Sequence, residues 1–265
     1  MRNLYKFIVK HKTSSMIFLW LFSCSVYSTA LWVLNVPTAV ILIVDLFLIV
    51  MTYGFIQSCV SYLLKQPLEE LNKKGDPMPL LKETQELLKC KINEANMQYI
   101  SMMYCAALRE SGGIEKASAI LNSINIDKFY GVLPVVKVLY YNNLADVCEL
   151  LGDEEKSSVW ITKMFQIYHD MPENKAKKQI SNTVTFAKAN EYFKKGDHKQ
   201  AAILLDRIIT CDLPLKLETL LLRAKIALSL NDTETARDNL DYIIANGNNL
   251  YSVTAAREVL QKIMV

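Results

Sequence analysis

The stretch Ala189-Asn190-Glu191-Tyr192-Phe193-Lys194-Lys195-Gly196-Asp197-His198-Lys199-Gln200-Ala201-Ala202-Ile203-Leu204-Leu205 reads as two helices and the turn between them. Ala189, Tyr192 and Phe193 fall three or four positions apart, on one face of a helix, and Ala201, Leu204 and Leu205 do the same after the break. Gly196 suits the left-handed residue that ends a helix, because it has no Cβ to clash. Asp197 follows as a side chain able to accept a backbone N–H at the start of the next helix, and Gln200 stands at capping-box spacing from it.

The same spacing recurs along the chain. Four times a small residue is followed seven positions later by Gly or Asn, then five later by another small residue and four later by a large aliphatic. The sets are Cys105-Gly112-Ala117-Leu121, Ala145-Gly152-Ser157-Ile161, Ala189-Gly196-Ala201-Leu205 and Ala224-Asn231-Ala236-Leu240. The small residues let paired helices approach closely, and Asp153, Asp197 and Asp232 all stand where an N-cap is needed. Gly113 occupies that place in the first unit and caps less well. A supersecondary unit repeated at intervals of about 40 residues signals an array of helical hairpins. The spacing predicts hairpins over 92–124, 134–169, 175–211 and 214–246, with a last helix, 250–264, as a solvating cap. No segment alternates as strands do, so the region is expected to be all α.

In these positions the chain resembles the tetratricopeptide repeat (TPR) family. Ala189, Tyr192, Gly196, Asp197 and Ala201 match its pattern best, whereas Leu108, Cys148 and Ala227 replace the aromatic in the other units. The resemblance covers roughly residues 92–247 and implies an α-solenoid that binds a peptide or protein along the surface formed by its first helices. Carried over residue by residue, the inward positions are Tyr99, Met102 and Arg109 in the first unit and Asn142, Asp146 and Glu149 in the second. The third contributes Phe186, Asn190 and Phe193, and the fourth Glu218 and Lys225. On this basis Asn142 and Asn190 are expected to pair with a peptide backbone and Phe186 and Phe193 to receive an apolar side chain. The alternative is that the aromatics are core and the polar residues solvated. Asp146 and Glu149 stand where the family's two-carboxylate clamp for acidic C-termini is basic, which disfavours that ligand class.

Upstream the character changes. Met16–Leu34 and Thr38–Leu64 carry a single charged residue, Asp45, and are divided by Asn35-Val36-Pro37. Each run is long enough to cross roughly 30 Å of hydrocarbon, so residues 1–64 are expected to form a membrane anchor with transmembrane helices at about 16–34 and 38–60. Arg2, Lys6, Lys10 and Lys12 precede the first run, and Lys65, Lys73 and Lys74 follow the second. The positive-inside rule then predicts a multi-pass integral membrane protein whose soluble domain is cytoplasmic. A signal peptide ending near Ala30, or a lipobox ending at Cys24, would invert that topology. At mid-span Asp45 is matched in depth by Tyr27 and Ser28, as hydrogen-bond partners for a protonated carboxyl. The other roles open to Asp45 are an interhelical contact in an oligomer or membrane complex, and transport chemistry. Residues 65–91, with Pro67, Gly75, Pro77 and Pro79, form a connector leading into a linking helix over 80–92.

Charge limits the remaining functions. The chain has 30 basic and 27 acidic residues. Four of the basic ones and one acidic one lie in residues 1–64, which leaves 26 of each beyond. A domain of zero net charge lacks the field that attracts phosphate backbones, so nucleic-acid binding is not expected. Cys24, Cys59, Cys90, Cys105, Cys148 and Cys211 show no metal-ligand or redox spacing, and His11, His169 and His198 are isolated. No phosphate loop, nucleophile elbow or HExxH motif is present. The sequence therefore predicts a protein without cofactor, metal or catalytic role: a membrane-anchored scaffold that recruits a protein partner. The alternative is an accessory subunit of a membrane transporter or secretion complex, assembled through the hairpin.

Overall fold

A computed structural model of the chain describes residues 2–10, 17–18, 21–22, 25, 29, 38–90, 94–124, 126 and 133–263. Among them there are twelve helices and no strands. Three come first: α1 (Arg2–Lys10), α2 (Thr38–Lys74) and α3 (Met78–Leu88). Four pairs follow: α4 (Glu94–Glu110) with α5 (Ile114–Ser123), α6 (Pro134–Leu150) with α7 (Glu154–Asp170), α8 (Lys175–Lys194) with α9 (His198–Asp206), and α10 (Leu213–Ser229) with α11 (Thr233–Asn246). The chain ends in α12 (Tyr251–Ile263).

The turns inside the pairs show why the repeat exists. Gly112, Gly152, Gly196 and Asn231 have φ of 85°, 78°, 78° and 61°, so all four are left-handed. In each pair the next backbone N–H reaches back five residues, as from Asp153 to Cys148 O (2.9 Å), Asp197 to Tyr192 O (2.9 Å) and Asp232 to Ala227 O (2.9 Å). The same aspartates then accept from Lys156, Gln200 and Thr235 N–H, which joins a C-terminal motif to an N-cap in one residue. Gly113 supplies no side-chain cap. The small residues Cys105, Ala117, Ala145, Ser157, Ala189, Ala201, Ala224 and Ala236 are all buried where the paired helices meet.

Gly152 separates backbone strain from crowding, because a Cβ placed there would meet nothing within 4 Å. Gly152→Ala is therefore expected to lose about 1–2 kcal/mol from the left-handed backbone alone. Urea denaturation checks this. A loss near zero would show that the turn relaxes to another conformation.

The array does not stay open. α12 touches both α10 and α4, and α10 touches α2. One apolar cluster joins Leu63, Leu64, Leu80 and Ile100 from the first helices to Leu217, Leu240, Ile243, Leu250 and Ala256 from the last. Gly75, at φ 65°, lies in that seam, where a Cβ would come within 3.0 Å of both Gly247 O and Leu250 Cδ1. The last helix is thus a closing element as well as a cap: Val253 and Ala256 are buried in the same cluster.

The expected membrane anchor is corrected. The second run does not form a separate span. It continues without a break into the 37-residue helix α2, whose C-terminal part buries Cys59, Val60, Leu63, Leu64 and Leu71 against protein. Val9 of α1 is fully buried in the same cluster, the Tyr5 and Tyr62 rings meet tilted at 4.6 Å, and Lys6 pairs with Glu83 (3.1 Å) and Glu86 (2.6 Å) on α3. Cys59, Val60, Leu63 and Leu64 are thus covered by neighbouring helices where the sequence had placed them in the apolar run of the anchor. Toward its N-terminal end α2 leaves Ile43, Leu46, Phe47 and Met51 exposed. Among the described residues no helix is long and apolar enough to cross a membrane. That finding overturns the expectation of a multi-pass integral membrane protein, and it leaves the expected span at 38–60 and a transmembrane hairpin without support. Most of the first run and the turn 35–37 lie outside the described residues, as do Tyr27, Ser28 and the side chain of Asp45, and so does their pairing.

Candidate functional site

The first helices of the four pairs all present residues to one cavity of about 350 Å³. Arg109 and Glu110 enter it from α4, Asp146, Glu149 and Leu150 from α6, and Phe186 and Asn190 from α8. Glu218, Leu221, Leu222 and Lys225 come from α10. The remaining wall is α12, with Tyr251, Ser252, Ala255, Glu258, Val259 and Lys262.

The repeat explains which side chains meet. Arg109 lies three positions before the turn glycine of its pair, and Asp146 lies six before the turn glycine of the next. Arg109 Nη1 donates to Asp146 Oδ2. Glu149 and Asn190 stand in the same two places one pair further on, and Asn190 Nδ2 donates to Glu149 Oε1 and Oε2 at 3.1 and 2.9 Å. Each pair thus reaches the following one through the same register. After that the pattern lapses, because Phe193 is apolar and packs with Ala189 and Leu205.

Arg109 is the hub. Its Nη2 donates to Glu110 Oε1 and lies 3.4 Å from Glu218 Oε1, and its Nη1 also reaches Asn143 Oδ1 at 3.5 Å. One guanidinium therefore serves three carboxylates on α4, α6 and α10. Burial and the neighbouring carboxylates outweigh that single charge for two of them. Removal from water pushes Asp146 up to about 6 against the pull of Arg109, and pushes Glu218 up to about 8. Glu218 meets Arg109 through one long contact, and its remaining exposure of 28% faces the cavity. Burial also raises Asp212, at the head of α10. The three carboxylates around it hold Arg109 well above the usual guanidinium range, so it stays charged.

Of the residues assigned to the inner surface, Arg109, Asp146, Glu149, Phe186, Asn190, Glu218 and Lys225 line the cavity. Four do not. Met102 is buried in the main core, Tyr99 packs partly buried in the closing cluster, and Phe193 sits beside the His198 ring at 5.3 Å. Asn142 is buried and donates to Asp146 Oδ2 at 2.8 Å. Asn142 and Asn190 are thus engaged with carboxylates of the chain itself. Lys194, which also reaches Glu149 at 2.7 Å, adds a cation to that pair.

Sequence reasoning missed the wall made by α12. Its signal was faint: Ser252, Ala255 and Val259 are spaced three and four apart, as one face of a helix, but they look like an ordinary capping surface. Comparison with known proteins finds no family model, no curated protein and no solved structure that matches this chain.

Proposed function

We propose that this chain is a non-catalytic binding protein, built as an α-solenoid of degenerate TPR-like hairpins, that receives a segment of a partner protein in its central cavity. One observation carries the reading: the same face of four successive first helices, the face used for ligands in proteins of that kind, converges here on a cavity of about 350 Å³. That volume lies in the range of sites that enclose a ligand group, and its wall sets six apolar side chains beside eight charged ones. The mouth residues Lys225, Glu258 and Lys262 are exposed, so an entering chain meets charge of both signs before it reaches the apolar wall.

The test is a display selection of random peptides on the purified full chain, followed by titration of the peptides recovered. Changing Phe186 and Asn190 together to Ala is expected to weaken the selected peptides about tenfold or more. Glu149 keeps Lys194 as a partner in that variant, so the fold is expected to survive, with an unchanged helical circular dichroism spectrum. Peptides that bind equally well to the variant would place their site elsewhere, and a selection that recovers none would defeat the reading.

A further inference from the structure

The cavity carries more negative than positive groups. Five carboxylates line it against three cations, and two of those cations, Lys225 and Lys262, are exposed at the mouth. In the interior Arg109 faces Glu110, Asp146 and Glu218 by itself. A second observation is independent of the acidic groups. Ser252 is 6% exposed, lines the same cavity from the first turn of α12, and its Oγ has no hydrogen-bond partner among the described residues. A buried hydroxyl without a partner loses its water contacts with no return, which makes it an unused acceptor.

We propose that the cavity is a receptor for a primary ammonium on an aliphatic stem, with Glu218 as counter-ion and Ser252 Oγ as a second acceptor. The proposal rests on the binding-protein reading and names the chemistry of the group received. Leu221, Leu222, Ala255 and Val259 supply the apolar wall against which a methylene stem lies. An ammonium fits better than a guanidinium. Glu218 Oε1 already lies 3.4 Å from Arg109 Nη2, so its other oxygen and the Ser252 hydroxyl, on different helices, are the acceptors offered. That suits a compact charge with rotatable donors, whereas a planar fork needs paired ones. The ammonium has two sources of identical chemistry, a lysine side chain of a partner and a free alkylamine.

Binding is coupled to a proton. Glu218 is faced by Arg109 and Glu110 from α4 and by Asp146 from α6, with Asp212 at the head of its own helix. Across the cavity stand Glu258 and Lys262 of α12, with Glu149 of α6 and Lys225 of α10 also on its wall. Burial, aided by the neighbouring carboxylates and opposed by Arg109, raises the Glu218 carboxyl to about 8, so it holds its proton through neutral pH. An incoming cation favours the carboxylate, so the proton leaves to solvent as the ligand enters.

The full chain is titrated calorimetrically with N-acetyl-lysine methylamide, n-pentylamine and the uncharged N-acetyl-norleucine methylamide. The two amines are expected to bind and the norleucine compound not to bind. Their affinity should rise about tenfold from pH 6 to pH 7 and level off above about pH 8. Glu218→Gln should lower it about tenfold or more and flatten the pH profile, and Ser252→Ala should weaken it without changing the slope. Because Glu218 is already uncharged at neutral pH, Glu218→Gln is expected to fold with an unchanged melting temperature at pH 7. Equal binding of the norleucine compound, or full affinity in Glu218→Gln, would overturn the proposal. The peptides recovered by display separate the two ideas. If they bind but tolerate replacement of every lysine by norleucine, the ammonium proposal falls and the binding-protein reading stands. If n-pentylamine binds while no peptide does, the receptor takes a free amine and the binding-protein reading falls. If neither amine nor peptide binds, both fall.

Discussion

Arg109→Met is expected to lose about 3–5 kcal/mol of stability near pH 8.5, because it leaves Glu110, Asp146 and Glu218 facing one another without a counter-charge. Methionine keeps much of the volume, so the loss is electrostatic. At pH 5 the cost should be much smaller, and the sign follows from the two raised carboxyls. Asp146 stands at about 6 against an ordinary 3.8 and Glu218 at about 8 against 4.5, so the folded chain holds protons that the unfolded chain has released. The wild type therefore loses stability as pH rises from about 4 to about 8. Without Arg109 both carboxyls titrate higher still, and the variant falls more steeply across the same window. Urea denaturation of both proteins at pH 5 and pH 8.5 measures the difference. An equal loss at the two values would mean that Arg109 acts by packing.

Leu217→Ala is expected to cost about 2–5 kcal/mol, the range for emptying a fully buried site. Its larger consequence is where the loss appears. Leu217 belongs to the cluster that joins α10, α11 and α12 to α2, α3 and α4, so the cavity it leaves weakens the closure of the array as well as one hairpin. Hydrogen exchange should speed up in α3 and α12 together. Faster exchange confined to α10 and α11 would show that the seam contributes no cooperativity, and that the hairpins behave as an open stack.

The helical pairs were legible because their determinants are local. Gly112, Gly152, Gly196 and Asn231 end a helix through their own φ, and Asp153, Asp197 and Asp232 start the next through a contact three residues away. The small residues marked the faces that had to touch, and all are buried. The apolar stretch before Leu64 was not legible in the same way. Hydropathy reports that a side chain avoids water and is silent about what covers it. Cys59, Val60, Leu63 and Leu64 satisfy that demand against α1 and α3. The distinction lies in contacts made over long separations, such as Lys6 with Glu83 and Glu86, which no window along the chain contains.

The inner surface divides along the same line. The register that brings Arg109 to Asp146 and Glu149 to Asn190 was present in the spacing from each turn, since every pair repeats one geometry. That Ser252 would stand on the same cavity wall as Glu218 depended on the return of α12 to α4 and α10. The sequence by itself determined the helices, their turns, their caps and the faces they pair, because each is decided within a few residues. The tertiary structure alone decided that the array closes, that one arginine serves three carboxylates, and that a hydroxyl from the last helix is sealed beside them. Desolvation and counter-charge depend on which distant segments share a volume, and that is a property of the closed fold.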